Sequence, residues 1–282
     1  MPIIDSHVHV WTNDPAFPWA AEAIDPPRSD AHPQTLLESM REQSIDVAVL
    51  VQYIGYRWDN AYVAQALRAF PDKFMGVCRV DPEDPAAPDH LSMWTELHGF
   101  HGVRISPEPD VRGDWFQGPL MRPFFQRAAD LNVPVLLLTK PSRLPELIEI
   151  LNTVPDVEVV IDHFADCDVN NATHRQLLAT LAENPRVFLK TGHVWANSAT
   201  GYPWRDQHAL LKHVCELFGV ERIMWGSDWS FCLRRATYAQ SISYLRDGID
   251  FLSPADLAWI LGGTALRLWQ FSQVFEPNPE QK

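Results

Sequence analysis

Asp5, His7 and His9 stand at alternate positions in the opening stretch PIIDSHVHV, directly behind Ile3 and Ile4. Side chains of a strand alternate between faces, so residues of one parity are expected to share a side. Two neutral imidazoles placed this way can grip a divalent ion such as Zn²⁺, or donate hydrogen bonds to a substrate oxygen. Asp228, in RIMWGSDW directly after an apolar run, can close such an ion site from a distant element. As a general base it can also take a proton from attacking water. The inert alternatives are a buried, hydrogen-bonded histidine pair and an aspartate that caps a following helix.

Such groups need a scaffold that brings distant segments together. Eight short β-rich runs recur, at residues 2–9, 46–53, 73–80, 101–106, 133–140, 157–163, 186–193 and 222–228. Amphipathic stretches such as PQTLLESMREQ, AYVAQALRAFP and RLPELIEILNTV separate them with helical spacing of their apolar residues. Alternating strands and helices imply βαβ units and a parallel sheet. Eight units in 282 residues fit an α/β fold of the (β/α)8 TIM-barrel type. A doubly wound open sheet competes, but no GxGxxG follows the first strand, so a dinucleotide-binding version has little support. No linker or low-complexity tract divides the chain, which predicts one barrel domain over 1–282 with a frayed tail at 274–282.

A barrel builds its site from the C-terminal ends of its strands. Those ends supply Gln52, Arg79, Asp81, Arg104, Thr139, Lys140, Asp162, His163, Lys190, His193 and Asp228. Arg104 suits a substrate carboxylate, because guanidinium presents a planar fork to two oxygens; an ion pair with a neighbouring acid is the even alternative. Arg57, Arg79, Arg234 and Arg235 are weaker versions of the same idea. Gln52, Lys140, Lys190 and His193 are further substrate-binding candidates. Lys190 and His193 have opposite parity, so only one is expected to face inward unless Gly192 introduces a bulge. In the loop HVWANSATGYPWRD, Trp195, Tyr202 and Trp204 are candidates for a substrate wall or lid.

Composition excludes several classes. With 36 acidic against 23 basic residues the formal charge is -13, and no Lys/Arg block offers a nucleic-acid groove. Four cysteines without a CxxC pair point to a reducing compartment. No signal-like or membrane-spanning run is visible. The expectation is a cytoplasmic protein with a small-molecule substrate, open to one that bears a carboxylate, and with neither a nucleic acid nor a membrane as partner; a homo-oligomer is left open.

DSHVH, GVRIS, VVIDH and RIMWGSDW, in this order, resemble the amidohydrolase superfamily. The nearest branch is the amidohydrolase-related one, with sugar lactonases, pyrone-dicarboxylate lactonase and aromatic-acid decarboxylases. VLVQYIGYRWDNAYVAQAL and FMGVCRVDPEDP are similar to its lactonase members, and the resemblance runs from residue 3 to about 230. It implies a TIM barrel with His7, His9 and Asp228 lining the site, Asp228 as base, and His163 binding substrate or aiding proton transfer. Metal-dependent decarboxylase members add a fifth-strand histidine, where this chain has Thr139 and Lys140. A carboxylated Lys140, an inward His193, or hydrolysis without a metal are the ways such a chain can work. A lactone carbonyl is electrophilic enough for hydrogen-bond donors and a base to suffice. The leading expectation is therefore a lactone hydrolase, with Zn²⁺ as the divalent ion if one is held. A non-oxidative decarboxylase, a C–N amidohydrolase and a non-catalytic binding protein on the same barrel are the alternatives.

Overall fold

The computed structural model describes residues 1–106 and 118–269; the tail expected to fray, 274–282, lies outside them. Eight parallel strands alternate with helices: β1 (Ile4–Val8), β2 (Val47–Val51), β3 (Phe74–Val77), β4 (Val103–Ile105), β5 (Val135–Leu137), β6 (Val159–Ile161), β7 (Val187–Lys190) and β8 (Ile223–Met224). β1 to β3 form one hydrogen-bonded run and β4 to β8 another. Parallel bridges from Cys78 to Val103 and from Val8 to Trp229 join the two runs at both seams. The ring is closed, so the fold is the (β/α)8 barrel and not the open sheet.

All eight expected strands are present, each shorter than its apolar run. β6 stops at Ile161 and β8 at Met224, before the histidine and carboxylate that the sequence reading had placed inside them. His163, His193 and Asp228 all take left-handed backbone, with φ of 55, 62 and 58°. That conformation costs a non-glycine residue about 1–2 kcal/mol and cannot continue a ladder. The strands end where the backbone turns to present the site.

Inside the ring, Ile4, Val49, Val51, Met75, Val77, Leu136, Val160, Phe188 and Met224 pack together, and Leu268 and Trp269 join them. The opposite faces of the strands pack on the helices: Leu50 and Leu137, for instance, join Leu36, Met40, Phe124 and Phe125 in the outer layer.

One expectation about β1 fails. Its pairing with β2 shifts register between Asp5 and Val8, so Asp5 does not share the face of His7 and His9. Asp5 instead accepts hydrogen bonds from Tyr238 Oη at 3.0 Å and from the Ser227 amide at 2.9 Å. Tyr238 begins the helix after β8 (Tyr238–Gly248), whose start is fixed by a capping box between Thr237 and Gln240. Burial pushes the Asp5 carboxyl up to about 6, against the hydrogen bonds from Ser227, His7 and Tyr238. Asp5 is a strut between β1 and the segment that carries Asp228.

Candidate active site

His7 and His9 meet edge to face at the mouth end of β1, with their Nε2 atoms 3.1 Å apart. The other nitrogen of each ring is engaged. His9 Nδ1 donates to the Val51 carbonyl at 2.7 Å, and His7 Nδ1 lies 3.1 Å from the Asp162 carboxylate. These partners fix the tautomers, so both Nε2 lone pairs point into one small space. Burial lowers His7 to about 3 despite Asp162 beside it, so its ring is neutral. Asp228 Oδ1 completes the group at 3.4 Å from His9 Nε2 and 3.8 Å from His7 Nε2. The Asp228 amide donates to the His7 carbonyl at 2.9 Å. Gly226 explains part of the GSDW motif: a Cβ there would lie 2.7 Å from His7 Cβ.

On the other side of Asp228 stand His163 and His193, stacked face to face with ring centroids 3.5 Å apart. His193 Nε2 is 3.1 Å from Asp228 Oδ2, and its Nδ1 is 3.8 Å from Asp166. Burial alone would lower His193, but hydrogen bonding to Asp166 and Asp228 outweighs it and raises the ring to about 9. His163 is held well below the usual histidine range by burial and by its neighbour His193. The stacked pair therefore divides into one charged and one neutral ring. Burial would raise Asp228, but the positively charged His193 ring, 3.1 Å from its Oδ2, holds it well below the usual carboxylate range. It is an ionised carboxylate at neutral pH.

Below these residues lies a charged knot that the sequence reading did not assign. Asp162, fully buried, takes Arg104 Nε at 3.0 Å, His7 Nδ1 at 3.1 Å and Lys190 Nζ at 3.4 Å. Burial would raise Asp162, yet His7, Lys190 and Arg104 together keep it well below its ordinary value. Lys190 is also fully buried, 3.2 Å from His7 Nδ1 and over the Trp269 ring, and burial lowers it to about 8. The parity argument that admitted only one of Lys190 and His193 fails. Lys190 is the last residue of β7 and faces inward; His193 lies beyond it, where left-handed backbone swings its ring back over the site.

A cavity of about 300 Å³ opens above the cluster, lined by His9, Arg104, His163, His193 and Asp228, and by an apolar wall that includes Tyr53, Trp195 and Phe231. Lys190 lies beneath His7 and is not among the lining residues. Gln52 is fully buried, is not among the lining residues and donates to the Asp59 carbonyl at 2.6 Å. Lys140 is exposed and outside the lining, at the end of β5. Of the three aromatics in the β7 loop, only Trp195 lines the cavity. Tyr202 is 44% exposed and packs edge-on to Trp204, which in turn packs on Tyr244. Arg79 is buried against Ser106, and Arg235 donates to the Ala196 carbonyl. Arg234 stacks over Phe231 at the exposed rim. Tyr53 and Phe231 had no signal in the sequence reading beyond their aromatic type.

The donor set fits a divalent cation. Nitrogen lone pairs of His7 and His9 converge with an Asp228 oxygen, and His163 and His193 form a second group around the same carboxylate. His163 needs Gly192 to hold its position, because a Cβ at 192 would run into its Nδ1 and lie 2.8 Å from Cε1. Gly192→Ala is expected to displace the ring and lower kcat/KM by about 10²-fold. It should also destabilise the fold by about 1–3 kcal/mol. Steady-state kinetics with urea unfolding checks both, and wild-type values in each would refute the clash.

His193 gives the fold a pH dependence. Its pKa is raised from 6.5 to about 9 in the folded state. The stability it contributes is therefore complete below about pH 6.5 and is lost as pH rises through 9. The difference in unfolding free energy between wild type and His193→Gln is expected to shrink by roughly 2–3 kcal/mol across that window. Urea titrations at pH 6 and pH 9.5 measure it; a constant difference would show that His193 is not charged in the folded protein.

The model of a protein family described as Amidohydrolase matches residues 4–271. An L-fucono-1,5-lactonase of Burkholderia ambifaria is 23% identical over 99% of this chain and 98% of its own. The crystal structure of a probable 2-pyrone-4,6-dicarboxylic acid hydrolase of Acinetobacter baumannii, with citric acid bound, superposes with a TM-score of 0.80. It is 21% identical over 96% of this chain and all of that one (100%). An amidohydrolase of Burkholderia multivorans with bound zinc gives a TM-score of 0.79 at 25% identity, covering 96% of this chain and 99% of its own. Among the described residues, no helix is long and apolar enough to cross a membrane.

Proposed function

The chain belongs to the amidohydrolase family, and on that footing we propose that it hydrolyses the ester bond of a small lactone. The observation that carries the reading is the Asp228 carboxylate. It is buried and ionised, it sits between four histidine rings, and it faces a cavity of ligand size. Water beside Asp228 attacks the lactone carbonyl; the new C–O bond forms as one water proton passes to the carboxylate. Collapse of the tetrahedral intermediate breaks the ring C–O bond. The proton on Asp228 then goes to the departing ring oxygen, and the product is the open hydroxy acid. His193, positively charged below about pH 9, stabilises the negative charge that develops on the carbonyl oxygen. Arg104, anchored by Asp162, orients the substrate. The relative named a lactonase and the structural neighbour named a pyrone-dicarboxylic acid hydrolase support this choice of bond.

His7, His9 and Asp228 would hold a zinc ion, the ion bound in one structural neighbour. When bound, such an ion polarises a carbonyl and acidifies water. Zinc titration of chelator-stripped protein against a chromogenic chelator is expected to reveal one tight site per chain. His9→Gln should weaken it by about tenfold or more, and a stripped protein that fails to compete would remove zinc from the reading. Lactone opening releases a proton, so a weakly buffered indicator assay over a panel of lactones tests the activity itself. Absence of turnover across the panel overturns the proposal.

A further inference from the structure

Directly after Asp162 the backbone runs left-handed for four residues. His163, Phe164, Ala165 and Asp166 carry φ of 55, 53, 53 and 52° in succession. With ψ of 32, 27 and 28° at the first three, they form the mirror image of a 3₁₀ turn. L-residues enter this region singly, because Cβ crowds the following carbonyl, and none of the four is glycine. Such a run persists only where its surroundings over-determine it, and strain of that kind gathers at functional sites. Here Phe164 and Ala165 are locked into the outer core. The Cys167 amide donates to the Phe164 carbonyl at 3.1 Å, and Asn197 Nδ2 donates to the Asp166 carboxylate at 2.9 Å.

About three residues complete such a turn, so His163 and Asp166 stand on one side of it. Both meet His193. The His163 ring stacks on the His193 ring at 3.5 Å, and Asp166 Oδ1 lies 3.8 Å from its Nδ1. The opposite nitrogen, Nε2, lies 3.1 Å from Asp228 Oδ2. One strained turn thus holds His193 on a face and at one end, and leaves the other end on the carboxylate. The His193 side chain is 27% exposed, so without that grip its ring is free to swing toward solvent. Asp166 has a rival role: it is within electrostatic reach of Lys140, beyond the end of β5, and with the Asn197 bond it could serve only to brace loops.

Resting on the lactonase reading, we propose that Asp166 is a positioning residue for the hydrolysis. Carried by the left-handed turn one turn beyond His163, it orients the His193 ring toward Asp228 and the substrate carbonyl. It does not line the cavity and acts through His193 alone. Asp166→Gly removes the carboxylate and suits the φ of 52°, so the fold is retained. It is expected to lower kcat for lactone hydrolysis about tenfold at a KM within about twofold of wild type. Asp166→Asn keeps an acceptor for the ring N–H and should stay within about threefold. In a His193→Gln background, Asp166→Gly should cost less than about twofold more, because no imidazole remains to be oriented. Equal losses in both backgrounds, or a loss confined to KM, would show that Asp166 only braces loops, overturning the inference while leaving the lactonase reading intact. A second measurement needs no turnover. The nuclear Overhauser effect between the ring protons of His163 and His193 should be present in wild type and Asp166→Asn and lost in Asp166→Gly. Its persistence in Asp166→Gly overturns the inference even where no lactone is hydrolysed, whereas its loss there upholds the positioning and leaves only the lactonase reading to fall.

Discussion

Asp228→Asn is expected to lower kcat for lactone hydrolysis by about 10³-fold while leaving the fold intact. General-base catalysis contributes about 10²–10⁴-fold, and this carboxylate is the group that accepts the water proton in the proposed reaction. The substitution keeps the shape of the side chain, and the Asp228 amide still donates to the His7 carbonyl. An amide cannot take the proton, and it removes the negative partner of His193, 3.1 Å away. The pKa of His193 should therefore fall from about 9 toward its ordinary 6.5, a shift visible in the histidine resonances of an NMR pH titration. Kinetics, circular dichroism and zinc content measured on the same preparation separate loss of the base from loss of structure or metal. Turnover undiminished at unchanged zinc content would remove Asp228 from the role of base.

Asp162→Leu carries the largest expected cost to stability, about 3–5 kcal/mol. The carboxylate is fully buried and is the shared counter-charge of Arg104 and Lys190. Removing it leaves two buried cations without their shared counter-charge, and breaking one member of a buried ion cluster is far worse than replacing the whole. Urea unfolding at pH 7 should show a lower midpoint at unchanged slope. The double variant Asp162→Leu with Lys190→Met is expected to recover part of the loss, because one uncompensated charge goes with the carboxylate. The sign with pH follows from the depressed Asp162 pKa. Its contribution is present above the unfolded value of about 3.9 and is lost as pH falls below it, so the two proteins should converge in acid. A single variant within about 1 kcal/mol of wild type would show that Lys190 is neutral in the folded state.

The two motifs that bring His7, His9 and Asp228 together in the candidate site were legible because each is local. His7 and His9 alternate along one strand, and Asp228 follows an apolar run by a fixed short distance; period and spacing suffice to place them on a barrel rim. The eight strands and their intervening helices were legible for the same reason, since hydrophobic periodicity is a property of neighbouring residues. What the sequence left open depends on contacts between strands. Asp5 shares the parity of His7 but not its face, because the register of β1 on β2 shifts between them. Gln52 and Lys140 sit at or just beyond strand ends yet are not among the lining residues of the cavity, and Gln52 spends its amide on the Asp59 carbonyl.

The sequence by itself therefore determined the barrel, the histidine pair and the terminal aspartate. Tertiary structure decided which charges face which. Asp162 lies 155 residues from His7 along the chain, and Lys190 and Arg104 reach it from two further strands. His193 joins the site only because its left-handed backbone overrides strand parity. Pairings of that kind are set by barrel closure and burial, where unpaired charge is too costly to persist, and no local pattern encodes them.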